Sequence, residues 1–469
     1  MGLHVAGIEV TPAIPPPLDR GFLPAALFSR TYRQLASASG AVPLRVALER
    51  GDGSISTYAT TIIPPKAGHL DATKVYVERI VKMLLWQRGG WKVYLGGPVE
   101  IGDYIKQVYS SSGARKFDHE FMGGVYEHTF EVAPTTAGAV PDAKETAIPL
   151  GRHLDGCRVG FDLGASDRKA SAVINGEAVF SEEIVWDPRN ATDPDYHYEG
   201  VMDSIKRAAS HMPRLDAVGG SAAGVYINNR VRVASLYRGV PKHQFEKIAS
   251  LFIRIREELG VPLEVVNDGE VTALAGSMSL NDNPVLGLAL GSSQAAGYAN
   301  HEGNITGWLN ELAFAPIDYR ADGPADEWSG DIGCGVQYFS QQGSNRVACS
   351  AGMQFDPQMP LPERLVVLQK KMVAGDPLAK QVYETLGTYL GYGIAHYADF
   401  YELKHVLILG RVTTGEGGEI ILKQSLAVLR ADFPELASRV SVALPDEANR
   451  RVGQSIAAAS LPSIPGGKR

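Results

Sequence analysis

The chain has 469 residues, 45% hydrophobic and 21% charged, a globular balance that excludes extensive disorder, and it exceeds the size at which a single core stops growing. Two or three lobes are therefore expected. A formal net charge of -7 with no block of Lys or Arg argues against duplex DNA as the main partner.

The cysteines, Cys157, Cys334 and Cys349, are odd in number and lack paired spacing, so neither a disulfide framework nor a complete zinc site can be assembled from them. A reducing, cytoplasmic setting is the expectation. No basic segment leads into an apolar run at the start, and no stretch approaches about 18 uninterrupted apolar residues, so neither a signal peptide nor a membrane span is expected.

Residues 1–40 carry Pro12, Pro15, Pro16 and Pro17 with little periodicity and read as an irregular N-terminal arm. Residues 41–150 read as a hairpin-containing α/β domain. It comprises two strands about a Gly-Asp-Gly turn between Leu44 and Ile63, a helix from Asp71 to Gln87 capped by Asp71, and an apolar strand from Trp91 to Leu95. The same order returns after residue 157, which is compatible with a diverged copy or with chance, since hairpin, helix and strand form a common succession. The segment Val132 to Leu150, rich in Ala, Thr, Pro and Gly, reads as a linker to a second body spanning 151–469.

That body opens with a hairpin from Val159 to Ile184. Asp162 closes its first strand, with Gly164 and Ser166 in the turn and Lys169 just after it. Backbone N–H groups, a hydroxyl and an ammonium placed this way can hold a metal-bound phosphate, although a plain hairpin turn has the same composition. A helix from about Tyr198 to His211 and an apolar strand from Leu215 into a glycine turn follow. Next come two strands about Asn228-Asn-Arg230 and a helix from Lys242 to Leu259. The short strand from Leu263 delivers Asn267 and Asp268 to the start of a helix, where a carboxylate serves either as a catalytic acid or base or as a helix cap.

Leu286 to Ala299 repeats the opening logic, an apolar strand, a turn of Gly291, Ser292 and Ser293, and a second strand. Two such turns can clasp a polyphosphate and its metal while an intervening carboxylate receives a proton from an attacking hydroxyl, the division of labour that phosphoryl transfer requires. The last third reads as helices Pro362 to Val373 and Pro377 to Glu402, the second capped by Asp376. After them come a strand His405 to Leu409, a helix Glu419 to Phe433, a strand Val440 to Leu444 and a helix Asp446 to Ala459. The glycine-rich junction at Gly410 can admit a nucleotide base and sugar, or be a structural turn.

Taken together, residues 157 to 461 resemble the ROK family of sugar kinases and repressors, in the actin-like ATPase superfamily. The resemblance rests on Asp162-Leu-Gly-Ala-Ser166 with Lys169, on Asn267-Asp-Gly-Glu270, on Gly291-Ser-Ser293 through Gly297, on Gly307-Trp-Leu-Asn-Glu-Leu312, and on Leu409-Gly410. It implies an α/β, ribonuclease H-like fold in two lobes, with an additional N-terminal α/β domain. It also implies ATP-dependent phosphorylation of a hydroxyl on a sugar, sugar derivative or polyol. Asp268 would be the general base, with Asn267, Asn310 and Glu311 on the substrate. Asp162 would hold Mg2+, and Gly164, Ser166, Lys169, Gly291, Ser292, Ser293 and Gly410 would bind ATP.

Departures bound the expectation. The family's cysteine-rich zinc segment is reduced to Cys334, so no zinc is expected, and Phe314 stands where the resemblance implies a histidine in contact with the sugar. Gln294, Ala295 and Ala296 replace glycines and are expected to crowd the second phosphate turn. The alternative is a catalytically silent sugar-binding or regulatory relative. No nucleic-acid partner is expected in either case, and a homodimer is implied by the resemblance alone.

Overall fold

The computed structural model describes residues 2–145, 149–445 and 447–466. The chain divides into two compact units: residues 1–147, 289–295 and 307–444 form the first, and residues 148–288, 296–306 and 445–469 the second. Among the described residues no helix is long and apolar enough to cross a membrane.

The first unit corrects the expected domain boundaries. Residues 1–40 are not an irregular arm. Strands Leu3–Val5 and Ile8–Val10 pair antiparallel, and Pro24 leads into a helix, Ala25–Ala38, that buries Leu27, Phe28 and Tyr32. Its Arg33 reaches Asp399 at 2.9 Å, and Tyr389 in helix Pro377–Tyr397 donates to Asp19 at 2.5 Å. Residues 41–145 are likewise packed into one body with 307–444 and are no freestanding domain.

Their sheet has the order Ile55–Ile62, Val42–Glu49, Lys92–Gly96, Glu131–Thr135. The last of these strands runs from Glu131 into the segment read as a linker, whose residues 146–148 lie outside the described residues. Helix Leu70–Arg88 is buried on almost every side, and Asp71 sits in its first turn without capping it.

In the second unit the sheet order is Leu263–Asn267, Ala217–Ala222, Cys157–Leu163, Asp167–Ile174, Glu177–Val185. The expected hairpin is a three-stranded meander, because Asn175 and Gly176, at φ 50° and 86°, turn the chain back once more. That extra strand also ends the case for an internal copy. It reverses the direction in which the chain enters the next helix, Pro194–Ala209, so Ala217–Ala222 returns parallel to Cys157–Leu163. After the two-stranded hairpin of the first unit, Lys92–Gly96 returns antiparallel to Val42–Glu49. The two halves share an order of elements and not a topology.

Helix Glu447–Ala459 packs on this sheet, and the Asp446 expected to begin it lies outside the described residues. Gly219 makes the contact feasible, since a Cβ there would come within 1.7 Å of the Ala458 carbonyl oxygen. Val159, Phe161, Ala172, Val218, Ile205 and Phe252 fill the core. Apolar residues inside and polar ones at the strand ends set up the site.

Candidate active site

Three parallel strands of the second unit end side by side. Asp162 and Ser221 are register partners, and Ala222 partners Asn267 on the next strand. Crevices outside the carboxyl ends of parallel strands are where α/β proteins bind ligands. Ser221 donates its hydroxyl hydrogen to Asp162 Oδ1 at 2.7 Å. Burial raises the Asp162 carboxyl above its ordinary range, against the lowering effects of Ser221 and Lys169.

Asp268 opens helix Asp268–Leu280, whose cap is Asn267. The Asn267 amide is engaged at both ends: Oδ1 accepts from Gly269 N at 2.8 Å, and Nδ2 donates to Gly224 O at 2.8 Å. With Asn267 as the cap, Asp268 does not occupy that position. Burial, then the charge of Asp162, pushes its carboxyl up to about 6, while the backbone N–H of Gly269 pulls the other way. A carboxyl whose proton affinity a neighbouring carboxylate raises is a common feature of acid–base sites.

The phosphate-type turn lies beside them. Gly164 N donates to Asp167 O at 2.9 Å, and the exposed Ser166 donates to Asp167 Oδ2 at 2.9 Å. Lys169 is the register partner of Asp162, with its ammonium 3.2 Å from Asp167 and 3.9 Å from Glu183. Sequence reasoning missed Ser221 and Tyr226. The signal for Ser221 was present, a hydroxyl inside the otherwise apolar strand Ala217–Ala222. Tyr226 donates to Ala223 O at 3.2 Å, and burial, Tyr237 and Asp268 together hold its phenol well above the usual range.

The remaining expected residues lie in the first unit. Gly291 N donates to Ser293 O at 2.9 Å, Gly291 O accepts from Gln341 N at 2.8 Å, and Ser292 and Ser293 are exposed. Gln294 does not crowd this turn. Its side chain is buried and donates to Tyr397 Oη at 3.0 Å.

Gly410 adopts φ 102°, and a Cβ there would lie 2.4 Å from Leu290 O. Gly410→Ala is therefore expected to cost at least about 1–3 kcal/mol from backbone strain alone. Thermal unfolding reads this directly, and an unchanged melting temperature would contradict it.

Asn310, expected on the substrate, is 2% exposed and at φ 51°. Its N–H donates to Gln87 O at 2.8 Å, and its Oδ1 accepts from Tyr401 at 2.8 Å. The next N–H, of Glu311, donates to Trp86 O at 2.9 Å, so the end of helix Leu70–Arg88 holds this segment by its backbone.

Phe314, in the histidine's expected place, stacks on Trp86 at 4.3 Å, and Cys334 is fully buried. Among the described residues no group of three or more His, Cys, Asp or Glu is placed to hold a metal. The Cys334 segment is tied down by ions. Lys82 binds Asp118 at 3.0 Å and also Asp331, Trp86 donates to Asp118 at 2.6 Å, and Arg115 bridges Glu78 and Asp331.

These strand-end carboxyls and glycine turns sit on the α/β fold of the actin-like ATPases. Within that class the fold is that of the ROK proteins. A ROK hexokinase from Thermus thermophilus is similar with a TM-score of 0.51 at 20% identity, over 64% of this chain and 97% of the hexokinase. A ROK family transcriptional regulator, a homologue of the E. coli MLC protein, gives a TM-score of 0.52 at 18% identity, over 66% of this chain and 79% of the regulator. No family model matches the sequence, and no curated protein does.

Proposed function

We propose that this chain transfers the γ-phosphoryl group of ATP to a hydroxyl of a sugar, sugar derivative or polyol. The fold alone does not choose, since it is shared by a hexokinase and a regulator. The observation that carries the reading is Asp268, a carboxyl pushed to about 6 by burial and by the charge of Asp162, which ends a parallel strand of the same sheet on the far side of strand Ala217–Ala222. A regulator has no use for a base poised near neutrality, whereas an attacking hydroxyl needs a proton acceptor there.

In this reading Asp268 receives the hydroxyl proton as the oxygen attacks the γ-phosphorus in line. Because the transition state is loose, the alignment of the hydroxyl matters more than the strength of the base. Glu311 hydrogen-bonds the substrate, and Asn267 and Asn310 fix backbone around the contacts. Gly164, Ser166, Lys169, Gly291, Ser292 and Ser293 serve phosphate, and Gly410 the adenosine.

The donors at Asp162 suit a hard divalent cation: a carboxylate, a serine hydroxyl beside it, and a second carboxylate whose proton affinity the first one raises. Asp162 would hold Mg2+ directly or through water. Bound there, Mg2+ would neutralise phosphate charge.

The test is Mg-ATP binding followed by a coupled ADP-release screen over hexoses, N-acetylhexosamines and polyols. Saturable ADP release with one class is the expected result. Sugar binding without ADP release would favour the silent relative, and absence of nucleotide binding would remove the proposal altogether.

The pH profile is a second check. With Asp268 at about 6, kcat is expected to fall tenfold per pH unit well below that value, as the base becomes protonated. A kcat flat from pH 5 to 8 would assign the proton to another group.

A further inference from the structure

We infer that Trp186 is a positioning residue for the phosphate-facing turn Gly164-Ala165-Ser166, setting the direction in which that turn presents its backbone N–H groups. The inference rests on the nucleotide reading above and deepens it.

Trp186 follows directly on strand Glu177–Val185 and is 7% exposed. It holds the turn twice. Its indole Nε1 donates to Gly164 O at 2.9 Å, and its backbone N donates to Ser166 O at 3.1 Å. A trans peptide is planar, with C=O and the following N–H pointing to opposite sides. Drawing the Gly164 carbonyl toward the indole therefore turns the Ala165 N–H away from it, and drawing the Ser166 carbonyl does the same for the Asp167 N–H. Backbone N–H groups of a turn that are left free of the protein's own carbonyls can line an anion-binding concavity.

The indole cannot swing freely. It belongs to the unit's apolar core, lies 6.3 Å from the stacked Tyr196 ring, and meets His197 edge-on at 6.3 Å. His197 is itself buried and bonded to Pro188 O at 2.9 Å. A Cβ at Gly200 would lie only 3.4 Å from the indole, so helix Pro194–Ala209 closes over its edge. A rigid donor on a packed ring fixes a carbonyl more firmly than a surface side chain can. The turn, whose Ala165 already packs on that core, thereby acquires a polar anchor in it as well.

Trp186→Phe in the full chain keeps an aromatic ring in the core and removes the indole donor along with the fused five-membered ring. It is expected to raise KM for Mg-ATP and Kd for Mg-ADP about fivefold, the worth of one neutral hydrogen bond. Neither kcat nor KM for the accepted sugar should change more than twofold, a split that general loosening of the fold would not give.

Equal Mg-ADP affinity in variant and wild type would overturn the inference, as would a parallel loss in kcat. A wild type that does not bind Mg-ADP would instead sink the nucleotide reading beneath it. Should Trp186→Phe fail to fold, amide exchange in the wild type decides. Exchange of the Trp186 indole N–H slowed together with that of 164–168 on adding Mg-ADP supports the inference, and an indole N–H that does not respond while 164–168 do overturns it.

Discussion

Asp268→Asn is expected to abolish phosphoryl transfer and, at pH 8, to make the protein more stable. The loss of activity follows from the role of the carboxylate as proton acceptor, a contribution of about 10²–10⁴ in kcat. Affinities for sugar and ATP should stay within a few fold, because the contact removed belongs to the transition state.

The gain in stability follows from the same environment. The folded state lifts this carboxyl from 3.8 to about 6, so the folded protein holds a proton that the unfolded chain releases. Its contribution is fully present below about 4 and is lost as pH rises through about 6, leaving a deficit of about 3 kcal/mol at pH 8. An amide never ionises, and its Oδ1 can still accept from Gly269 N. The melting temperatures of variant and wild type should therefore coincide near pH 4, diverge as pH rises from about 4 to 6, and stay apart above that. A variant that retains turnover would remove Asp268 as the base, and one whose stability gain over wild type is no larger at pH 8 than at pH 4 would remove the buried-charge account.

Asp162 and Asp268 were legible because each interrupts or ends an apolar strand, where a charge has no packing reason to be. What they touch was less legible. Ser221 partners Asp162 only through a parallel pairing across 59 residues of chain, which no local pattern specifies. The third strand of the meander carried its own signal in Asn175-Gly176, yet its solvent-facing residues dilute the apolar alternation on which strand recognition relies.

Helix Ala25–Ala38 lies behind a run of prolines and has no acidic first turn or side-chain cap, so its start is unmarked in sequence. The expectation that Asn310 meets substrate says nothing of its φ of 51° or of its side-chain bond to Tyr401, which joins segments 91 residues apart in the chain. The N-terminal region was the least legible of all. Its helix Leu70–Arg88 meets Asn310, Glu311, Asp331 and Phe400 through bonds that span more than 200 residues of chain.

That helix gives the second large expectation. Lys82 is fully buried with Asp118, which is fully buried too, and with Asp331 at 6% exposure. Burial alone would lower the Lys82 ammonium, but the carboxylates of Asp118 and Asp331 more than reverse this and raise it. Asp118 shows the other side of the same balance, raised by burial against the pull of Lys82. Lys82→Met removes the cation and leaves the buried Asp118 carboxylate without an ion partner, while Arg115 still pairs with Asp331, a change that costs about 3–5 kcal/mol in buried pairs of this kind. The melting temperature should fall on the order of 10 °C.

Adding Asp118→Asn to Lys82→Met should return a large part of that loss, because the amide oxygen still accepts from the Trp86 indole at 2.6 Å while one uncompensated charge disappears. The consequence reaches the candidate substrate residues. Trp86 and Gln87, one turn further along this helix, accept the N–H groups of Glu311 and Asn310. The Lys82→Met protein should therefore lose sugar affinity more than nucleotide affinity, with amide exchange of 307–314 speeding before the rest of the unit. Lys82→Met with wild-type stability, or a double variant no better than the single, would show that these charges are spectators and that the aromatic stack of Trp86 and Phe314 holds the segment alone.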